Sequence, residues 1–213
     1  LRETLDFYVG SNIPPRTQTR IHLGQFEIRY PLDIFTCIRA SGTLRLDQRI
    51  QLATDDLTIS VPTDNQQRIG AKVEYVFDNT LDVSLNIKNG TRYKVFAEAV
   101  KRCEGDIVGD NRKFEFADGF MTVLGFDARH YQRLDKRSII AFRAAASTSF
   151  GSERNLYFLG GVDNWLFPRF NESVPFPQSD DFAYQTLAAN LRGFKQNIRN
   201  GNSYALINTE LRV

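Results

Sequence analysis

Histidine and cysteine are scarce in this chain, with two of each, and their scarcity removes most metal and nucleophile chemistry. Neither His22 nor His130 has a cysteine or carboxylate at zinc-ligand spacing, and both fall inside strand-like runs. No glycine-rich phosphate loop and no nucleophile elbow occurs, so no catalytic residue, metal or cofactor is expected and the chain does not read as an enzyme. Runs of like charge are missing as well. The 27 basic and 25 acidic residues leave a net charge of +2, which argues against a nucleic-acid-binding arm. No window approaches the ~18 consecutive apolar residues of a membrane-spanning helix. That absence leaves strands open as membrane-crossing elements, because a spanning strand needs only ~9–11 residues and shows one apolar face. The chain opens on Leu1 without Met or a signal-like segment and reads as an excerpt of a longer protein.

What is abundant is phenylalanine, at 17 of 213 residues, beside a single Trp and a single Met. With no long alanine-rich stretch, this composition leans towards an all-β protein. Strand patterns bear on the same point. Residues 1–9 form a short candidate closed by Pro14-Pro15, and 17–30 a second, in which Gly24 is expected to mark a bulge. In 34–53, Ile34, Ile38, Ala40, Leu44, Leu46 and Ile50 share one face, opposite Arg39, Ser41, Thr43, Arg45, Asp47 and Arg49. Alternation held for some twenty residues is far beyond the ~5–6 of an ordinary strand. The stretches 67–78, 91–102, 120–134, 140–147 and 203–213 repeat the pattern, and Asn89-Gly90 is expected to close the turn between the fourth and fifth candidates.

These eight antiparallel candidates are joined alternately by tight and by longer connections, the longer ones at 54–66, 103–119 and 150–202. Apolar-out, charged-in strands with such asymmetric loops are the signature of a transmembrane β-barrel of the outer-membrane type. A soluble β-sandwich is the alternative, but its strands are normally half as long. In the barrel topology Cys37 lies at a tight-turn end and Cys103 at a long-loop end, too far apart for the ~7 Å that a disulfide allows, so both are expected free.

The segment 150–202 reads as one oversized loop, and loops of that size are uncommon unless functional or disordered. Its aromatics, including Trp165, Phe167, Phe170, Phe176 and Tyr184, argue against disorder and suggest a partner-binding insertion. Near its end stands the tetrapeptide Leu191-Arg192-Gly193-Phe194. If the loop folds back over the charged face, Arg192 is placed to meet Glu210 on the next strand in a bidentate pair. Gly193 then permits close approach or positive φ, and Phe194 anchors the tip by burial. A solvated loop arginine is the alternative.

At these residues the chain resembles the BamA-type bacterial surface-antigen barrels, a family of outer-membrane assembly factors and two-partner-secretion translocators. Leu191-Arg192-Gly193-Phe194 is similar to the arginine-glycine-aromatic tip of that family's sixth extracellular loop. Tyr157-Phe158-Leu159-Gly160-Gly161 resembles the stretch before the tip, Asn208-Thr209-Glu210-Leu211 the strand after it, and the Asp78 to Arg92 hairpin a periplasmic turn. The roughly thirty residues 162–190 between Gly-Gly and the tip are a departure from the family's short spacer. By this register the chain, 1–213, is part of one barrel domain, about strands five to twelve of sixteen, with 150–202 as a lumen-folding extracellular loop. The resemblance implies the outer membrane of a Gram-negative bacterium and a role in outer-membrane protein insertion or polypeptide translocation. The partners implied are the lipid bilayer, unfolded outer-membrane or secreted polypeptides and periplasmic or surface accessory proteins. The competing expectation is a barrel serving as a passive membrane anchor or partner-binding scaffold.

Overall fold

The computed structural model describes residues 17–52, 63–84, 87–105, 114–135, 138–162, 169–171, 173–175 and 182–213. Every regular element among them is a strand, so the protein is all-β. Among the described residues no helix is long and apolar enough to cross a membrane, which says nothing of strands. The elements are β1 (Thr17–Pro31), β2 (Thr36–Gln51), β3 (Asp64–Asp78), β4 (Leu81–Ser84), β5 (Ile87–Gly105), β6 (Phe114–Arg133), β7 (Ile139–Gly151), β8 (Arg154–Leu159), β9 (Phe182–Leu187), β10 (Arg199–Gly201) and β11 (Ser203–Arg212). The candidate strand at 1–9 lies outside the described residues.

One antiparallel sheet of eight strands runs in the order β1-β2-β3-β5-β6-β7-β11, with β4 paired to β5. Among the described residues β1 and β11 are its two ends and do not pair with each other, so the sheet is open. It is not closed into a barrel among the described residues. The strands are long, β2 with 16 residues, β5 with 19 and β6 with 20, and the β5–β6 pair continues past one register shift between Lys101 and Cys103.

Two local expectations are corrected. Around Gly24 the β1–β2 register runs without a shift from Thr17↔Gln51 to Pro31↔Cys37, so no bulge is present. Asn89-Gly90 is not the turn either, since the hairpin continues through Leu81↔Asn89 and Asp82↔Lys88 as far as Ser84 and Ile87. The side chain of Asn79 accepts the Thr91 N–H at 2.6 Å and carries the ladder past the break between β3 and β4. The turn signal is thus overridden by pairing on both sides of it.

The alternation itself is realised as read. Val73 and Tyr75 of β3, Val95 of β5, Leu124 and Phe126 of β6, Phe142 of β7 and Ile207 and Leu211 of β11 are all exposed on one face. The opposite, inner face carries the charges: Arg68 and Glu74 are 4% and 8% exposed. Around Glu74, Lys72 Nζ stands at 2.9 Å, Lys94 Nζ at 3.5 Å and Arg39 Nη1 at 3.9 Å. Phe96 lies between Lys72 and Lys94, whose ammonium nitrogens are 4.6 and 5.6 Å from its ring. An apolar face left bare above a buried, ion-paired face inverts the arrangement of a sheet that closes a water-soluble core.

Cys37 and Cys103 are both free and buried. They sit opposite Val76 and Gln67 of β3, which places them at opposite ends of the sheet.

Candidate functional site

The segment 150–202 is not a single irregular loop. It carries its own sheet, in which β8 pairs with β9 in parallel and with β10 antiparallel. This small sheet lies on the inner face. Ser149 of β7 donates its hydroxyl to the Asn155 carbonyl at 3.1 Å and accepts the Asn155 N–H at 2.9 Å. Tyr157 meets Ser147 through their hydroxyls at 2.9 Å and packs edge-on to the ring of Tyr204 at 5.0 Å. Asn197, fully buried at φ 61°, donates to the carbonyls of Asn171 and Val174, both at 3.1 Å, and ties the middle of the segment to its end.

The Leu191–Phe194 tip is a turn closed by Gly161. The Gly161 N–H donates to the Phe194 carbonyl at 3.1 Å, and the Leu191 N–H donates to the Gly161 carbonyl at 2.8 Å. Gly193 has φ +85°, the left-handed region that glycine enters without a Cβ penalty. The same freedom is used at Gly160 and Gly161, where a Cβ would come within 2.1 Å of the Lys195 carbonyl oxygen and 2.3 Å of Gln196 Cγ. The Gly-Gly pair and the tip are therefore direct neighbours, despite the 29 residues, 162–190, between them in the chain.

The expected bidentate pair is not formed. Arg192 is exposed, and Glu210 instead accepts from Arg212, Nε at 3.1 Å and Nη2 at 2.9 Å. Arg212 is the closer competitor because it lies two residues along β11, on the same face as Glu210. Phe194 is 55% exposed and does not anchor the tip by burial. Arg192 and Glu210 nevertheless line one cavity of about 650 Å³ between the tip and β11. Arg129, Arg143 and Arg212 share its walls, and Asp127 holds Arg129 at 3.0 Å and Arg143 at 2.7 Å.

Of the aromatics expected to form a partner-binding insertion, Trp165, Phe167 and Phe176 lie outside the described residues. Phe170 is spent internally, edge-on to Phe158 at 6.0 Å. Tyr184 is turned onto the sheet rather than towards a partner. With Ala183 it packs against the buried cluster Val100, Met121 and Val123. The Arg45 guanidinium carbon stands 4.2 Å and that of Arg68 5.3 Å from the centre of its ring. Burial pushes the Tyr184 phenol up to about 12, so the ring facing these arginines is neutral across the physiological range.

Beside Tyr184 lies a charged cluster that sequence reading missed. Arg68 Nε reaches Glu153 at 3.1 Å, its Nη1 reaches Asp47 at 3.3 Å and its Nη2 reaches Gln66 at 2.9 Å. Arg45 Nε also holds Asp47 at 2.8 Å. Arg68 was legible only as one of many inward polar positions, and nothing near Glu153 in the chain signals a partner 85 residues away. Among the described residues no group of three His, Cys, Asp or Glu is placed to hold a metal ion. No family model, curated protein or solved structure matches this chain.

Proposed function

We propose that this chain is part of an outer-membrane β-barrel of the surface-antigen type, which takes part in inserting outer-membrane proteins or translocating polypeptides. The observation that carries the reading is the inverted sheet. Its strands of 13–20 residues from β1 to β7, apart from the short β4, exceed the ~9–11 needed to cross a bilayer. They bear an apolar band on the face left bare and ion pairs on the face under the small sheet. An aromatic cluster supports the same orientation. Phe35, Phe77, Tyr93 and Tyr75 follow one another with ring centroids 6.4, 5.1 and 6.3 Å apart, next to the tight connection between β1 and β2. Such girdles mark the membrane–water boundary of barrels.

In this reading the exposed band faces lipid and the inner face lines the lumen of a barrel in the outer membrane of a Gram-negative bacterium. The segment between β7 and β11 partly plugs that lumen from the extracellular side. The work is conformational and uses no catalytic residue or cofactor. Its partners are the bilayer, unfolded outer-membrane or secreted polypeptides, and accessory proteins on either side.

The test is reconstitution of the full-length protein into vesicles of outer-membrane lipids, followed by folding of an added unfolded barrel protein or uptake of an exported polypeptide. Acceleration of either over empty vesicles is expected. A protein that inserts normally but accelerates neither would instead be the passive anchor or scaffold.

A further inference from the structure

The segment between β7 and β11 faces charged groups of the sheet at two places, and only one of them forms an ion pair with it. At the tip, Arg192 is exposed and its intended carboxylate belongs to Arg212. At the other place every charged group is engaged. Arg68, contributed by the sheet, holds the Glu153 carboxylate through two nitrogens at 3.1 and 3.4 Å, and Arg102 Nη1 approaches the same carboxylate at 3.9 Å. The Glu153 backbone is fixed as well, since its N–H donates to the Phe120 carbonyl at 3.2 Å. Gly119 makes room for the carboxylate: at φ +141° a Cβ there would lie 3.1 Å from Glu153 Oε1. Tyr184, thirty-one residues further on, presses its ring against Arg45 and Arg68 from the same side.

We infer that this segment is latched with reversed polarity: a sheet arginine, Arg68, grips a loop carboxylate, Glu153, with the ring of Tyr184 as a second clasp, and the Arg192 tip is left disengaged. Arg68, Glu153 and Tyr184 are positioning residues, since each acts by holding the plug-like segment in place. A buried charge pair resists separation because either partner left alone is desolvated without compensation. The Tyr184 ring adds a cation–π contact that uses the aromatic face and not the hydroxyl. One clasp lies where the segment begins, just before β8, and the other in β9, so both hold strands that precede the tip. The inference deepens the proposed reading and rests on it for the role of the segment as a plug.

The test reads attachment rather than assembly, so the two can fail separately. In the full-length protein, with Cys37 and Cys103 replaced by Ser, Ala183→Cys places a thiol under β9, and its alkylation by a soluble maleimide reports release of the segment. Arg68→Gln and Glu153→Gln are each expected to raise the labelling rate about tenfold or more. The double variant should be no faster than the faster single one, as for two members of one pair. Tyr184→Leu should raise the rate about fivefold and Tyr184→Phe should not change it. Arg192→Ala should stay within about twofold of the parent. Parent-like labelling of Arg68→Gln, additive effects in the double variant, or a larger effect from Arg192→Ala would overturn the latch. Should Arg68→Gln fail to fold, the Tyr184→Leu and Tyr184→Phe pair decides by the same criterion.

Discussion

The two faces of the long sheet come from the same strands and the same backbone ladder, yet they obey opposite rules. The inner face gathers its charges into ion-pair clusters: Glu74 is surrounded by Lys72, Lys94 and Arg39, Asp127 by Arg129 and Arg143, and Arg68 by Glu153, Asp47 and Gln66. On the outer face Val73, Val95, Leu124, Phe126 and Ile207 lie bare. A buried charge is tolerable only when paired, and a bare apolar band of this extent marks a face that meets another surface, lipid or protein. The contrast teaches that the medium chosen for each face, and not the strand pattern alone, decides which side of the sheet is the core.

The largest expected effect strikes the outer face. Val73 lies mid-strand between Ala40 of β2 and Ala97 of β5. Val73→Arg should destabilise the lipid-inserted protein by about 2–4 kcal/mol, as a cation at the midplane of a barrel does. Urea titration of the full-length protein folded in vesicles measures this, and a loss below about 0.5 kcal/mol would mean that the face does not meet lipid.

On the inner face a smaller loss is expected from Glu74→Gln. It keeps the shape but leaves Lys72, Lys94 and Arg39 without their shared carboxylate, at about 1–2 kcal/mol after allowance for their partial exposure. The same titration should show the loss shrinking when Lys94→Met is added, because one uncompensated cation is then gone. A double variant as unstable as the sum of the singles would break the pairing argument.

The smallest effect belongs to neither face, but to the turn at one end. The Thr36 hydroxyl and the backbone N–H groups of Phe35 and Thr36 donate to the Asp33 carboxylate and lower its pKa, with the Thr36 hydroxyl the largest contribution. A carboxylate with a folded-state pKa below its unfolded value of ~3.9 stabilises fully above that value. Its contribution is lost as pH falls through the lower, folded value. Asp33→Asn should therefore reduce stability at neutral pH and should match the parent in strong acid. Parallel stability curves for the two proteins down to pH 2 would remove this group from the account.

Much of the fold was legible because a strand turns each successive side chain to the opposite face. Ile38 and Leu44 on one side and Arg39 and Arg45 on the other follow from parity alone. The free cysteines followed too, from their places at opposite strand ends. The misreadings share a different cause. Asn89-Gly90 has the composition of a turn, but Leu81 pairs with Asn89 and Tyr131 with Gly90, and the ladder wins. The small sheet of β8, β9 and β10 was hidden because its strands are 6, 6 and 3 residues long and β8–β9 pairing is parallel, which no local turn announces. At the site, the Leu191–Phe194 turn was visible and the outcome of its ion pair was not, because the distance from Arg192 to Glu210 depends on how the segment folds back, whereas Arg212 stands beside Glu210 on the same strand.

The sequence by itself determined the all-β class, the phase of each long strand and which face would carry charge, because those depend on a two-residue backbone period that any window displays. Only the tertiary structure decided that the sheet stays open among the described residues, that Gly161 seats the tip, and that Arg68 meets Glu153 and Tyr184. The tip contacts span about 30 residues and the Arg68 contacts 85 and more, and such meetings are fixed by sheet register and the fold-back of a long segment, neither of which has a local signature.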